Sequence, residues 1–288
     1  MKRPITPLTS LRLILCTCIC LILVILSSIN LFFLLRWCGY PIDSYPSVVL
    51  AQTISTIILF AFPAFYMSWW ITGSFTELLK IDRITPPSGR AWLLGIATII
   101  LCQPLVTWSA WINQTICKDW DCWNAIFEMS QRYSEMVNKL VQTDTILHFA
   151  VSVFIVSILP AVVEEIFFRG TLQNIVLANT KSPTATILIT STVFSIIHVE
   201  PSGFLPRLIL GIVLGFLYHC GRNIWVNIAA HALNNLVAVI ILATAGNEAL
   251  DSMNQPTENP GVIIPIIGVI LLSFAMNGFY NKTKLEQP

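Results

Sequence analysis

The sequence predicts an all-α protein that crosses a membrane several times. Hydrophobic residues make up 55% of its 288 residues and charged residues only 11%, and the mean hydropathy of +0.75 is far above that of a soluble domain. Apolar stretches of about 20 residues, long enough to cross the hydrocarbon core as a helix, recur between short polar segments. Because backbone in lipid must satisfy its hydrogen bonds internally, we predict a polytopic bundle of about eight helices.

The predicted spans lie at about 13–35, 48–71, 91–112, 145–168, 184–198, 208–218, 224–245 and 262–279. The first follows a basic start but is too long for a secretory signal and lacks a small-residue cleavage site, so we interpret it as a retained span. The spans at 184–198 and 208–218 are short for a full crossing and are expected to be tilted, extended through polar flanks or buried among neighbours.

We divide the chain into three parts of one integrated membrane domain. Residues 1–144 contain the first three spans and a long polar segment, residues 145–245 form a core that carries the unusual polar residues, and residues 246–288 contain the last span and the tail. The polar segment at 118–144 has the aromatic and apolar residues of an amphipathic helix at the membrane interface. A solvated helix explains them equally well.

Basic residues predict the orientation. With eight spans, both termini and every second connection lie on one side, and this side has ten Lys and Arg residues against five on the other. Since basic residues concentrate in cytoplasmic loops, both termini are expected in the cytoplasm, and the compact chain suggests a bacterial inner membrane. The ten are Lys2, Arg3, Arg12, Lys80, Arg83, Arg90, Lys181, Arg222, Lys282 and Lys284, and the five are Arg36, Lys118, Arg132, Lys139 and Arg207.

The charge argues against a nucleic-acid partner, and the cysteines argue against a structural zinc site. The net charge is +1 and no basic cluster alternates with aromatic residues, so nucleic acid is not an expected partner. Cys117 and Cys122 share a loop that is predicted to face the outside, where they could form a disulfide. Their sequence, CKDWDC, lacks the second ligand pair of a structural zinc site.

Two adjacent glutamates, Glu164 and Glu165, stand near the end of an otherwise apolar stretch, FIVSILPAVVEEIFFRG. An ionised carboxylate at membrane depth costs at least about 2.5–3.5 kcal/mol, so it normally faces a protein interior or a water-filled cavity and serves a function. Neighbouring helical residues point about 100° apart, so the two carboxylates need separate explanations. Glu165 precedes Arg169 by four residues, the favourable order for an ion pair, which leaves Glu164 to take a proton from water.

Two histidines, His198 and His231, lie in later apolar stretches. His231 and Asn235 are four residues apart, so they share one helical face and could direct hydrogen-bond donors at one oxyanion. Glu164 with His198 could then hold and activate a water molecule. Together these groups suffice for amide hydrolysis without a covalent intermediate.

Other hypotheses explain the same residues. A histidine or asparagine in an apolar helix is commonly a hydrogen-bonded contact between helices, which is our interpretation of His148 and His219. Buried glutamates would also serve as the proton relay of a proton-coupled transporter, although neither internal repeats nor matching broken spans are evident. A third hypothesis is a non-catalytic membrane scaffold or a bacteriocin-immunity protein.

Three short motifs fall on successive apolar stretches of the core. They are E-E-x-x-x-R at Glu164, Glu165 and Arg169, F-x-x-x-H at Phe194 and His198, and H-x-x-x-N at His231 and Asn235. Each motif is weak by itself, but the three in this order resemble the CAAX protease and bacteriocin-processing (CPBP, or Abi) family. That family includes the type II prenyl-protein CAAX endopeptidases.

The resemblance implies an eight-helix bundle with a cavity open toward the cytoplasm and lateral access for a membrane-associated or lipidated peptide. It implies the hydrolytic roles described above and supporting roles for Glu165, Arg169 and Phe194. Family members are often labelled metalloproteases, but H-E-x-x-H is absent, and we favour a mechanism without a cofactor. If zinc were bound, its ligands would be Glu164, His198 and His231. The expected partners are the lipid bilayer and the peptide substrate.

Overall fold

The computed structural model describes residues 44–77, 88–141, 145–198, 200–254 and 259–286, together with residues 15, 22, 36, 37, 39 and 41. Within these ranges every regular element is a helix, which confirms the predicted all-α class. The predicted first span, at about 13–35, lies outside the described residues except for residues 15 and 22.

We number the helices of the described ranges in chain order. They are α1 (Tyr45–Thr72), α2 (Gly89–Cys117), α3 (Trp123–Val141), α4 (Ile146–Thr180), α5 (Pro183–Ile196), α6 (Phe204–Gly221), α7 (Ile224–Asn254) and α8 (Ile263–Glu286). All except α3 and α5 contribute to apolar spans long enough to cross a membrane. α5 has 14 residues, so the prediction that its stretch is short for a crossing is confirmed.

Two spans are longer than their apolar cores suggested. A 3₁₀ turn at Pro201–Gly203 leads into α6, so the predicted stretch at 208–218 becomes a span of 21 residues, Pro201–Gly221. The predicted stretch at 145–168 continues through polar residues to Thr180, where Lys181 ends α4 in the left-handed conformation at φ 55°. This extension places Glu164 and Glu165 near the middle of α4.

Wider π-helical turns interrupt α1 and α4. The turn at Ile57–Ala61 precedes Pro63, and the turn at Phe154–Ile158 precedes Pro160. Proline lacks an N–H and its ring crowds the carbonyl four residues earlier, and a wider turn relieves both effects without breaking the helix. A third π-helical segment, Ile166–Gln173, directly follows the two glutamates. Such turns are frequent at functional sites.

Small residues let the helices approach closely. α2 packs against α6, α7 and α8, while α6 also packs against α5. A Cβ added at Gly211 of α6 would lie 3.1 Å from the Cα of Ser191 on α5, which is closer than ordinary van der Waals contact. In lipid the association of helices depends largely on such packing and on hydrogen bonds between helices. The result is a bundle in which α4, α5 and α7, the carriers of the three motifs, meet in its interior.

The polar segment at 118–144 contains the predicted helix, α3, which ends with the buried residues Leu140 and Val141. α3 packs against α1, α4 and α7. Its place at the membrane interface stays a prediction. Cys117, at the end of α2, is a buried free thiol, and Cys122, just before α3, is an exposed free thiol, so the structure does not contain the disulfide considered for this loop.

Candidate active site

The three motifs meet around the buried ring of Phe194 on α5. The ring centroid lies 4.8 Å from that of His198, in the turn after α5, and 5.9 Å from that of His231 on α7. The guanidinium carbon of Arg169, on α4, lies 5.2 Å from the same centroid. Phe194 is therefore the side chain through which residues of all three motifs are in contact.

Glu165 is fully buried, at 0% exposure, and three neighbours hold its carboxylate. Its Oε2 atom lies 3.3 Å from Nε of Arg169 and accepts a hydrogen bond from Nδ2 of Asn227 at 3.1 Å, while Oε1 lies 2.9 Å from Nδ1 of His231. An ion-paired carboxylate can only accept, so Nδ1 of His231 is the donor. The predicted ion pair between Glu165 and Arg169 is confirmed.

Glu164 is also buried, at 7% exposure, but its carboxylate is held less closely. Its Oε2 atom lies 3.9 Å from Nε2 of His231, which is beyond hydrogen-bonding distance. The two ring nitrogens of His231 thus face the two glutamates. The 100° between adjacent helical residues did separate the environments of Glu164 and Glu165, yet both carboxylates approach one imidazole from a different helix.

The predicted span at 184–198 placed His198 inside a helix. In the structure it lies one residue beyond Ile197, the C-cap of α5. Its half-buried ring has Nδ1 only 2.6 Å from the carbonyl oxygen of Phe194. A carbonyl accepts but cannot donate, so Nδ1 carries the proton. In the neutral ring, Nε2 is therefore the acceptor that remains for a further partner.

Asn235 lies one helical turn after His231 but is not joined to the cluster directly. Its Oδ1 atom accepts a long hydrogen bond of 3.4 Å from Nδ2 of Asn234, whose own Oδ1 accepts from Nε2 of Gln103 at 3.1 Å. Within the part of the chain that the structure describes, no hydrogen bond connects Asn235 with the two glutamates or with either motif histidine.

Asn227 is a residue of the site that the sequence analysis missed. It is completely buried on α7 and donates from Nδ2 both to Glu165 and, at 2.7 Å, to the carbonyl oxygen of Leu214 on α6. It precedes His231 by four residues and so lies on the same helical face. The spacing N-x-x-x-H in an apolar stretch was the signal that could have identified it.

Zinc binding by Glu164, His198 and His231 stays an untested alternative. Among the described residues, no three His, Cys, Asp or Glu side chains are grouped so that they could hold a metal ion. Nδ1 of His231 serves Glu165 and Nδ1 of His198 serves the Phe194 carbonyl, so each ring has Nε2 for any further partner.

The fold and the site define a class of protein, a polytopic helical membrane protein with a buried pair of glutamates around a histidine. Residues 146–237 match the model of a family described as type II CAAX prenyl endopeptidase Rce1-like. This match confirms the resemblance that the motifs predicted, and at the level of the family it supports a CAAX-type intramembrane endopeptidase. No match was found among curated proteins, and none among solved structures.

Proposed function

We propose that this protein hydrolyses a peptide bond inside the membrane by direct attack of a water molecule. The observation that carries the proposal is the burial of Glu164 beside His231, whose other ring nitrogen is already held by Glu165. Among the described residues, no Lys or Arg lies at ion-pair distance from Glu164. A carboxylate that is costly to bury and lacks such a cation is suited to take a proton.

In the proposed reaction, Glu164 accepts a proton from the water while the water oxygen bonds to the carbonyl carbon of the substrate. The electrons of the carbonyl double bond pass to its oxygen, which becomes an oxyanion. When this intermediate collapses, the carbon–nitrogen bond breaks and Glu164 returns the proton to the leaving amine. His198 orients the water through Nε2, because its Nδ1 proton is committed to the Phe194 carbonyl.

His231 and Asn235 stabilise the oxyanion in this proposal. Since Nδ1 of His231 donates to Glu165, Nε2 is the ring nitrogen left for the oxyanion, and donation from it requires a second proton on the ring. Arg169 and Asn227 keep that carboxylate in place. Oδ1 of Asn235 accepts from Asn234, so its amide nitrogen is the group directed at the oxyanion.

We propose a membrane-associated peptide or protein as the substrate, which reaches the site from the bilayer, and lipidated peptides are the first to test. The excess of basic residues on the terminal side supports cytoplasmic termini, and a bacterial inner membrane is the proposed location. None of the proposed steps uses a metal.

The test is cleavage of a quenched fluorescent library of lipidated peptides by purified protein, with and without a zinc chelator. We expect wild type to cleave and Glu164→Gln to be inactive but folded. The matched control is Glu128→Gln on α3, an exposed glutamate 3.8 Å from Arg132, which should cleave like wild type. Full activity of Glu164→Gln would exclude its role as the base, and loss of wild-type cleavage with the chelator would favour zinc.

A further inference from the structure

Contacts from outside the matched segment hold the turn that carries His198. Asn113, near the end of α2, is 3% exposed, and its side chain reaches backbone groups on the far side of this turn, besides a weak 3.7 Å contact from Nδ2 to Sγ of Cys117 on its own helix. Its Nδ2 atom donates to the carbonyl oxygens of Pro201 at 2.7 Å and Ser202 at 2.9 Å, and its Oδ1 accepts from the backbone N–H of Leu205 at 2.9 Å. These hydrogen bonds need an amide side chain at position 113. They use only backbone atoms of Pro201, Ser202 and Leu205, so they do not depend on the side chains at those positions.

Contacts among α5, the turn and α6 also hold the turn in place. Oγ of Ser195, on α5, donates to the carbonyl oxygen of Phe204 at 2.6 Å. Arg207, on α6, forms an ion pair with Glu200 and donates from Nη1 to the Glu200 carbonyl oxygen at 3.1 Å. These contacts fix α5 relative to α6. Asn113 adds a different constraint, because it ties the turn to α2.

The turn needs hydrogen-bond partners from outside its own backbone, which explains why an amide side chain lies at position 113. The backbone at Pro201–Gly203 leaves the α-helical hydrogen-bond pattern between two apolar helices. Buried backbone polar groups outside a helix need hydrogen-bond partners from protein or water. Asn113 satisfies two carbonyl groups and one N–H with a single side chain, and so determines where the turn lies relative to α2.

We propose that Asn113 is a positioning residue that holds His198 in place for the reaction. This inference rests on the proposed function, because Asn113 does not touch the reacting atoms and acts through His198. His198 is three residues before Pro201, so movement of this anchor moves the imidazole. A misplacement of about 1 Å in a catalytic group can lower a rate by about 100-fold.

The first experiment compares Asn113→Leu, which removes the three hydrogen bonds to the turn at similar volume, with Ser109→Ala. Ser109 lies one turn earlier on α2, is also 3% exposed, and donates to Val106 of its own helix. We expect kcat of Asn113→Leu to fall by about 10-fold to 100-fold with KM within about twofold, and Ser109→Ala to match wild type. Asn113→Ser keeps one hydroxyl that can donate or accept without adding a charge, and it is the second variant if Asn113→Leu unfolds.

A double-mutant cycle with His198→Ala separates positioning from general destabilisation. If Asn113 acts through His198, either Asn113 variant should change the residual kcat of the His198→Ala protein by less than about twofold. An equal fractional loss in both backgrounds would overturn the positioning role and assign Asn113 to stability. Wild-type kcat in His198→Ala by itself would instead refute the proposed role of His198, and the positioning role with it.

Discussion

The adjacent glutamates offer a sharp test, because the same isosteric change should have very different consequences for stability at the two positions. Glu165→Gln removes the charge that pairs with Arg169, which is 2% exposed, and weakens the acceptor of His231. Glu164→Gln removes a charge whose nearest ionisable partner is Nε2 of His231 at 3.9 Å. Both changes keep the shape of the side chain.

The expected magnitudes follow from these contacts. Removing one partner of a buried ion pair costs about 3–5 kcal/mol, because the other charge stays buried, so Glu165→Gln should lower the free energy of unfolding by about that amount. At position 164 no closely held cation loses its partner and a buried carboxylate is neutralised, so the change should be below about 1 kcal/mol or stabilising. The two variants should therefore differ by at least about 2 kcal/mol.

The assay is reversible unfolding of the purified proteins in detergent micelles, followed by circular dichroism, with cleavage measured on the same preparations. We expect both variants to lose cleavage and only Glu165→Gln to lose much stability. Equal destabilisation by the two substitutions would show that Glu164 is a structural residue. A Glu165→Gln protein as stable as wild type would mean that the network with Arg169 and His231 contributes little to the fold.

The remaining predictions concern the contacts around this network. Asn227→Leu should lower the free energy of unfolding by about 1–3 kcal/mol, because it leaves the buried Leu214 carbonyl without this donor; an unchanged unfolding curve would contradict this. Gly211→Ala should lower the free energy of unfolding by about 1–3 kcal/mol, because the new Cβ would press against the Ser191 backbone. Gly278→Ala is the control, because its Cβ would lie 3.6 Å from a flexible Leu94 methyl group. Equal effects at the two glycines would refute the packing argument.

The local parts of the site were predictable from the sequence. The ion pair between Glu165 and Arg169 joins residues four apart on one helix, so spacing alone predicted it correctly. The approach of both carboxylates to His231 was not predictable, because it joins α4 to a helix more than 60 residues later in the chain. Helical periodicity says which face a residue occupies but not which helix lies opposite that face.

The contacts of Asn113 were likewise not predictable from the sequence. In the sequence this residue begins a short polar group, Asn113, Gln114 and Thr115, near the end of an apolar stretch, and nothing there points to a contact with the turn of His198. Its partners in the turn are backbone groups 88 to 92 residues away, and a backbone carbonyl or N–H has no sequence signature. The importance of this residue is visible only once α2 is placed beside the start of α6.

The sequence by itself determined that this protein lies in a membrane, that it is helical, where its principal spans are and which motifs resemble the matched family. These properties depend on hydrophobicity along the chain and on spacing within one helix, which the order of residues records directly. The tertiary structure alone decided that His231 lies between Glu164 and Glu165, that Asn227 completes the network and that α2 anchors the turn of His198. These contacts depend on how helices pack, and packing is decided by the combined shapes of surfaces distant in the chain.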